Sequence, residues 1–271
     1  MGIIKKNGRL FTFGCSLTRY HWPTWADILG QSYQEFYNWG NRGAGNRQIM
    51  ERFSEACLRH DFTAEDTVII QWTDYHRFDS HKSDPDLPEG WYPGGNIFVD
   101  NAADSTKGFV MNKLWDERSY MMHTFNSIHA AIGIARASCK ARIIMIFGTD
   151  MREDLIQDPY WAPYKKILQN NYWIEKDMYN WMVQMHDKRL EFKGAKMGNL
   201  DEKPTLDYHP TPMMYYEYLM KRISPLLGVG IDRAFAQKYQ KVLEEVNDYK
   251  DIGEAVLKAG YDTNKRYARG Y

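Results

Sequence analysis

The sequence predicts an α/β fold with a parallel sheet, and two observations support this prediction. Short apolar runs at 9–13, 36–39 and 67–72 have the composition of buried strands. Between them, the segments 22–33 and 46–60 place apolar residues every three or four positions, as amphipathic helices do. Because strand and helix alternate within the first 72 residues, we expect parallel strands joined by right-handed crossovers.

The middle of the chain contains a long segment without a clear hydrophobic period, 75–117, which is rich in Pro, Gly and Asp. Such segments are uncommon in compact domains and are often functional, so we predict a loop insertion that shapes a cleft. After it, the pattern predicts a helix at 119–137 and a buried strand at 141–147. An aromatic-rich, partly helical stretch follows at 161–181, and then a helix at 211–226.

Residues 227–271 form a tail beyond the main domain, which we place at 1–226. Apolar residues recur in the tail at spacings of three or four and predict an amphipathic helix of about five turns; they are Ile231, Phe235, Tyr239, Leu243, Val246 and Tyr249. Such a helix packs either on its parent domain or on another subunit or larger assembly. Residues 264–271 are expected to be mobile.

The composition excludes several classes of protein. The 35 basic and 35 acidic residues give no net charge, which is unlike a nucleic-acid-binding protein. No apolar run approaches the ~20 residues that span a bilayer, and the basic N-terminus lacks the apolar stretch of a signal peptide. Three scattered cysteines, Cys15, Cys57 and Cys139, are too few for a disulfide framework. We therefore expect a cytoplasmic protein with no nucleic-acid or membrane partner.

A serine follows the first predicted strand, in the segment Gly14-Cys15-Ser16-Leu17-Thr18. In open parallel sheets, binding sites form beyond the carboxyl ends of the strands. Ser16 would lie near the N-terminus of the next helix, where backbone N–H groups stabilise a developing anion. The same position also suits a serine that only caps the helix.

Two further segments contain candidate chemistry. Gly40, Gly43 and Gly45 precede the second helix and would let the backbone direct N–H groups toward a ligand, although a tight structural turn has the same composition. Far along the chain, Asp207 precedes His209, and a carboxylate that orients an imidazole is the support that a general base needs. A serine, glycine N–H donors and an Asp–His pair are together the components of an acyl-transfer site.

In their order and their positions at strand ends, these motifs resemble the SGNH, or GDSL-type, hydrolase family over residues 9–226. The resemblance implies a flavodoxin-like α/β/α sandwich without a metal or organic cofactor. It implies that Ser16 is the nucleophile and that the N–H groups of Ser16 and Gly43 bind the oxyanion. It further implies that His209 is the base, that Asp207 orients it, and that the substrate is an ester, often an acetylated carbohydrate or a lipid.

The third motif of the family differs in this sequence. Members usually have Gly-x-Asn-Asp after the third strand, and the Asn side chain is the third oxyanion donor; here Asp74 takes the place of that Asn. An ionised carboxylate would repel an oxyanion. Three alternatives stay open: a protonated Asp74, the hydroxyl of Thr73, or the amide of Asn46. The acid also lies two residues before His209, where the family usually has three.

We expect the chain to hydrolyse O-acyl esters, with O-acetyl groups on a carbohydrate as the favoured substrate. Trp91 and Tyr92, in the loop at 75–117, are expected to stack against sugar rings. Arg42 and Arg77 are candidates for holding an anionic substrate, with solvated surface charge as the alternative for each.

Two other functions stay open. A non-catalytic protein with an altered oxyanion hole would use its aromatic cleft to bind a glycan, and its tail would join it to an assembly such as a virus particle. It would then be virion-associated, and the aromatic density and short tail are similar to those of phage-encoded members of the family. Transfer of the acyl group to another alcohol would use the same residues as hydrolysis. His76 with His81, and His123 with His129, lack the i, i+4 spacing of a zinc pair, so we predict no metal site.

Overall fold

The structure of the protein, a computed structural model, describes residues 5–81, 91–96, 109–149, 151–174, 177–185, 190–192, 205–207 and 209–263. The first elements alternate as predicted: β1 (Lys6–Phe13), α1 (Trp25–Gly30), β2 (Tyr33–Asn38), α2 (Asn46–Arg59) and β3 (Thr67–Trp72). They are followed by β4 (Arg77–His81), β5 (Trp91–Asn96), α3 (Glu117–Ser138), β6 (Arg142–Phe147), α4 (Met151–Gln157), α5 (Met178–Met185), β7 (Leu190–Phe192), β8 (Thr205–Asp207), α6 (Pro212–Tyr218), α7 (Ser224–Leu227), α8 (Arg233–Glu245) and α9 (Ile252–Lys258).

Four strands form one sheet in the order β2-β1-β3-β6. β3 and β6 run parallel, in register from Thr67 opposite Arg142 to Trp72 opposite Phe147. All residues of β3 are buried, which explains its run of apolar and β-branched side chains. Numbered along the chain, the strands of the sheet follow the order of flavodoxin-like doubly wound folds. The predicted α/β class with a central parallel sheet is therefore confirmed.

Most of the predicted elements are confirmed within a few residues. The predicted strands at 9–13, 67–72 and 141–147 correspond to β1, β3 and β6, and the predicted helices at 46–60 and 119–137 correspond to α2 and α3. The helix predicted at 211–226 is divided into α6 and α7 by a π-helical turn at Leu219–Ile223. The aromatic-rich stretch at 161–181 contains the end of a 3₁₀ helix, Pro159–Leu168, and the start of α5.

The helix predicted at 22–33 is shorter than its hydrophobic pattern, because the chain reverses direction directly after α1. The backbone N–H of Lys6, at the start of β1, donates to the carbonyl oxygen of Ser32 at 2.8 Å. β2 then begins at Tyr33, before the strand predicted at 36–39. The apolar spacing places Tyr33 on the face of the helix, but Tyr33 is a buried residue of the strand.

The described part of the predicted loop insertion at 75–117 contains secondary structure that the sequence pattern does not indicate. β4 and β5 pair as an antiparallel hairpin in which Ser80 lies opposite Tyr92, and a π-helical turn forms at Val110–Leu114. The hairpin register shifts between Arg77 and Asp79. This irregularity disrupts the two-residue alternation by which a strand is recognised in a sequence.

The chain divides into two compact units by its internal contacts. The first unit contains Met1–Phe11, Leu17–Asn38 and Met178–Tyr271, and the second contains Thr12–Ser16 and Trp39–Asp177. Ser16 therefore belongs to the second unit, together with α2, β3 and β6. Asp207 and His209 belong to the first unit, together with the tail.

The tail contains two short helices, so the prediction of one helix of about five turns is wrong. α8 ends where the backbone of Val246 becomes extended, and a 3₁₀ turn at Tyr249–Asp251 leads into α9. Buried residues of both tail helices, and one that follows α9, form one hydrophobic cluster with two aromatic residues that precede α1: Tyr20, Trp22, Tyr239, Leu243, Ile252, Val256 and Tyr261. The tail thus packs within its own unit, one of the two predicted alternatives. Residues 264–271 lie outside the described residues.

Candidate active site

Ser16 lies in a turn that follows the carboxyl end of β1, and its side chain is buried, with 8% of its surface exposed. The residues before it are held on two sides. The backbone N–H of Asn41 donates to the carbonyl oxygen of Gly14 at 2.9 Å, and the N–H of Cys15 donates to Oε1 of Gln71 at 3.4 Å. Asn41 comes from the glycine-rich segment and Gln71 from β3, so two predicted motifs fix the backbone that leads into Ser16.

The glycine-rich segment adopts a conformation that requires glycine. Gly43 has φ +76°, in the left-handed region that residues with a Cβ rarely adopt. Its carbonyl oxygen accepts a hydrogen bond from the N–H of Gly95 in β5, at 3.1 Å. Among the described residues, no hydrogen bond uses the Gly43 N–H. The segment can therefore present that donor to a ligand. Arg42 is partly buried in the same turn.

The carboxylate of Asp79, in β4, anchors the end of the glycine-rich segment. Its oxygens accept hydrogen bonds from the backbone N–H groups of Gly45 at 2.7 Å and Gln48 at 3.1 Å. These are donors at the N-terminus of α2 that have no partner within the helix. Burial raises the pKa of Asp79, against the lowering effect of these N–H groups and of Arg77. The hairpin thus holds the start of α2.

Asn46 is fully engaged in a structural role. Its amide oxygen accepts from the backbone N–H of Thr73 at 2.8 Å, and its amide nitrogen donates to the Thr73 carbonyl oxygen at 2.8 Å and to Oγ1 of Thr124 at 3.1 Å. A primary amide has two hydrogens, and both are used here. The prediction that Asn46 supplies an oxyanion donor is therefore wrong: Asn46 joins α2, α3 and the end of β3.

Asp74 also cannot donate to an oxyanion. Its Oδ1 accepts from the backbone N–H of His76 at 2.8 Å and contacts Nδ1 of the same residue at 2.5 Å. Burial raises the pKa of Asp74, but the His76 hydrogen bonds and the charge of Arg77 outweigh it, so the pKa is lowered. Asp74 is therefore ionised and only accepts hydrogen bonds. The direction of this shift argues against the predicted protonation of Asp74 by burial. The hydroxyl of Thr73, a residue with 1% of its surface exposed, stays a predicted oxyanion donor.

In the first unit, Asp207 and His209 form a close pair. Oδ1 of Asp207 lies 2.8 Å from Nδ1 of His209 and also accepts the backbone N–H of His209 at 2.8 Å. The hydroxyl of Tyr20 donates to Oδ2 at 2.6 Å. Burial raises the pKa of the fully buried Asp207, but the contacts with His209 and Tyr20 lower it to about 2. An ionised carboxylate therefore holds the imidazole through Nδ1.

A cavity of about 570 Å³ lies within the second unit, a volume typical of small-molecule sites. It is bounded by α2, α3 and the chain from Asp74 to Asp79. Its lining combines cationic, anionic and aromatic groups, including Arg47, Arg77, Asp74, Asp79, Tyr75 and Tyr120. The Nε of Arg77 is buried and has no hydrogen-bond partner among the described residues. Arg77 and Arg47 thus bring positive charge to the wall of the cavity, opposite in sign to the charge of Asp74 and Asp79.

The remaining predicted residues are only partly described. Trp91 and Tyr92 lie in β5, but their side chains are outside what the structure describes.

No group of three or more His, Cys, Asp or Glu residues in the described ranges could hold a metal ion. Across the same ranges, no helix combines the length and apolar character needed to span a membrane.

Sequence reasoning missed four residues that surround these motifs: Tyr20, His76, Asp79 and Tyr249. Tyr20 is distant in sequence from both of its hydrogen-bond partners, Asp207 and Tyr249, so no local pattern indicates these contacts. The Asp74–His76 pair could have been found, because its Asp-x-His spacing repeats that of Asp207 and His209.

No family model matches the sequence, and no curated protein matches it. Among solved structures, the chain is similar to a member of the lipolytic protein G-D-S-L family from Veillonella parvula, with 14% identity, 78% of this chain and 96% of that chain covered, and a TM-score of 0.40. It is also similar to a GDSL-like lipase from Bacteroides thetaiotaomicron, with 14% identity, coverage of 81% and 87%, and a TM-score of 0.36. Both TM-scores lie below 0.5, so the functional assignment depends on the geometry of the site and not on these likenesses.

Proposed function

We propose that the protein is a serine ester hydrolase in which Ser16 is the nucleophile, His209 the general base and Asp207 the acid that orients the base. The observation that carries the proposal is the Asp207–His209 pair, in which a buried, ionised carboxylate holds one ring nitrogen. Such a pair fixes the tautomer of the imidazole and stabilises its cation. Ser16 is supported by its sequence motif and by its position after β1.

The proposed reaction is determined by which nitrogen Asp207 holds. Because Nδ1 contacts the carboxylate, Nε2 of His209 takes the proton from Oγ of Ser16. Oγ attacks the ester carbonyl, and the imidazolium then gives its proton to the departing alcohol as the tetrahedral intermediate collapses. Water, deprotonated by the same imidazole, then releases the acid and restores Ser16.

The oxyanion would be stabilised by the backbone N–H groups of Ser16 and Gly43. The positive φ of Gly43 and the anchoring of its segment support this role. The ionised Asp74 has no hydrogen to donate, and Asn46 donates its amide hydrogens to Thr73 and Thr124. Neither side chain therefore adds a third donor to the oxyanion hole. Loss of one such donor typically lowers the rate by ~10²–10³-fold. We therefore expect a slow esterase.

As substrate, we propose an O-acyl ester of a carbohydrate, with an O-acetyl group as the favoured acyl group. The sugar ring would bind in the cavity of the second unit. Tyr75 and Tyr120 line it and offer aromatic faces, and we propose that the guanidinium of Arg77, which also lines it, donates to a ring or hydroxyl oxygen. Trp91 and Tyr92 remain predicted sugar-binding residues, and Arg42 a predicted contact for an acidic substituent.

The test is release of acetate from p-nitrophenyl acetate and from a fully acetylated monosaccharide. Ser16→Ala should lower kcat on the order of 10⁴-fold or more. Ser224→Ala is the matched control, because it also removes one hydroxyl, which donates to the carbonyl oxygen of Val229 at 2.6 Å. Equal turnover by wild type and Ser16→Ala would overturn the proposal.

The carbohydrate part of the proposal has its own test. Arg77→Gln should raise KM for the acetylated sugar about tenfold, since one donor to a bound oxygen contributes about 1–1.5 kcal/mol, and leave p-nitrophenyl acetate unaffected. An equal effect on both substrates would argue against sugar binding in the cavity.

A second function, non-catalytic glycan binding, is favoured by the ionised Asp74 in the third motif. In that case the protein would bind the sugar without releasing acetate, and Ser16→Ala would bind it equally well. The tail would then be the predicted contact to a larger assembly. Transfer of the acyl group to an alcohol is distinguished from hydrolysis by the products formed when methanol is added.

A further inference from the structure

Tyr20 links the Asp207–His209 pair to the C-terminal tail. Its hydroxyl oxygen lies 2.6 Å from Oδ2 of Asp207 and 2.7 Å from the hydroxyl oxygen of Tyr249. Tyr20 follows the turn after β1, whereas Tyr249 begins the 3₁₀ turn between α8 and α9. A continuous chain of hydrogen bonds therefore runs from the tail to His209, within one compact unit.

The direction of these hydrogen bonds is fixed by chemistry. An ionised carboxylate only accepts, so the single hydroxyl proton of Tyr20 is donated to Asp207. Tyr249 must then donate to the oxygen of Tyr20. Burial, followed by the charge of Asp207 and the proximity of Tyr249, raises the pKa of Tyr20, so its hydroxyl is protonated at neutral pH. Donation from Tyr249 polarises the Tyr20 hydroxyl and strengthens its bond to Asp207.

Tyr20 also contacts the imidazole itself. Its ring stacks on that of His209, with the centroids 3.7 Å apart and the planes 18° from parallel. The indole of Trp22 meets the other rings edge-on and donates from Nε1 to the carbonyl oxygen of Pro210 at 3.0 Å. Tyr20 therefore constrains both the carboxylate and the plane of the base.

The tail holds Tyr20 in this position. Tyr20 and Trp22 share a hydrophobic cluster with residues of α8 and α9. His21 packs edge-on against both Tyr20 and Tyr249. The hydrogen bond from Tyr249 thus joins two segments that are already in van der Waals contact, and it sets the orientation of the Tyr20 hydroxyl.

We infer that Tyr20 is a positioning residue for the base His209, and that the C-terminal tail completes the site through Tyr249. This inference rests on the proposed ester hydrolysis for its effect on rate. Its structural content, a tail-to-acid hydrogen-bond relay, is measurable without any turnover.

The test compares Tyr249→Phe with Tyr239→Phe in the full chain. Tyr239 lies in the same tail and also loses one hydrogen bond, from its hydroxyl to the carbonyl oxygen of Ala259 at 3.1 Å. For hydrolysis of p-nitrophenyl acetate, Tyr249→Phe should lower kcat about tenfold with KM unchanged, as loss of a residue that orients a catalytic group does. Tyr239→Phe should keep wild-type kcat.

A second readout needs no activity: titration of the Asp207 carboxyl carbon by NMR, assigned by its absence in Asp207→Asn. The pKa of Asp207 should rise by about half a unit in Tyr249→Phe, about one unit in Tyr20→Phe, and not in Tyr239→Phe. If the wild type hydrolyses no ester but Asp207 responds in this order, the proposed function fails and the relay stands. If Tyr249→Phe matches Tyr239→Phe in the Asp207 titration, the relay is overturned, whatever the activity.

Discussion

Replacing Asn46 with alanine tests whether this side chain is the structural link that its contacts indicate. Asn46 is buried and pairs through one amide with both the N–H and the carbonyl oxygen of Thr73. It adds a third hydrogen bond, to Thr124 on α3. Alanine would leave two backbone groups of Thr73 buried without a partner, because that residue has only 1% of its surface exposed.

The size of the effect is set by those orphaned groups. A buried donor or acceptor that loses its partner costs about 1–3 kcal/mol, and Asn46→Ala creates two of them. We therefore expect the free energy of unfolding to fall by about 3–5 kcal/mol, at the upper end for single substitutions. Asn46→Asp should be comparably destabilising at neutral pH, because its carboxylate would face the carbonyl oxygen of Thr73.

Denaturation by urea, followed by tryptophan fluorescence, measures this loss. Asn126→Ala is the control, since Asn126 is an exposed residue of α3 and its substitution should change the free energy of unfolding by less than about 0.5 kcal/mol. A loss below about 1 kcal/mol for Asn46→Ala would refute the structural role and make Asn46 a candidate oxyanion donor again.

Two further predictions concern carboxylates. The pKa of Asp207 is lowered from 3.8 to about 2 in the folded protein, so its ionised carboxylate stabilises the fold by about 2 kcal/mol above pH 4. This contribution is lost as the pH falls to 2. Urea denaturation across this pH range should show the loss in wild type and not in Asp207→Asn. For Asp79→Asn, one acceptor oxygen remains for the N–H groups of Gly45 and Gln48, so the free energy of unfolding should fall by about 1 kcal/mol. An unchanged urea midpoint would show that Asp79 does not hold α2.

The alternation of strands and helices could be predicted because each element has its own hydrophobic period. β3 is buried along its whole length, and its apolar run is sufficient to identify it. The tail shows where a period misleads. Val246 and Tyr249 continue the helical spacing of α8, but the backbone is extended at Val246, and Asp248 accepts the N–H of Lys250 to start a new turn. The spacing of apolar residues therefore indicates which side chains are buried, but it does not show whether they belong to one continuous helix.

The candidate site could be predicted only where its contacts are local. The Gly43 turn and the pairing of Asp207 with His209 depend on neighbouring residues. The contact of Tyr20 with Asp207 joins positions 187 residues apart, and nothing in either segment indicates the other. Long-range partners of this kind depend on tertiary packing, which the sequence pattern does not contain.

The tripeptide Asp-Tyr-His occurs twice in the chain, at 74–76 and 207–209. Comparison of the two copies shows which contacts of the acid–imidazole pair are local and which depend on residues distant in sequence. In both copies one carboxylate oxygen accepts the histidine N–H at 2.8 Å and contacts its Nδ1, at 2.5 and 2.8 Å. The spacing of two residues is therefore sufficient to pair acid and imidazole.

The surroundings of the two copies differ. The side chain of Asp74 is 29% exposed, and its imidazole partner stacks on Trp115; that of Asp207 is fully buried, and its second oxygen is bonded to Tyr20. Donation from Tyr20 helps to keep the Asp207 carboxylate ionised, and burial fixes its position while the imidazole gains and loses a proton. The copy that has both is the one that supports a base, and the assignment of His209 rests on this difference in environment, since the two copies share the same sequence motif.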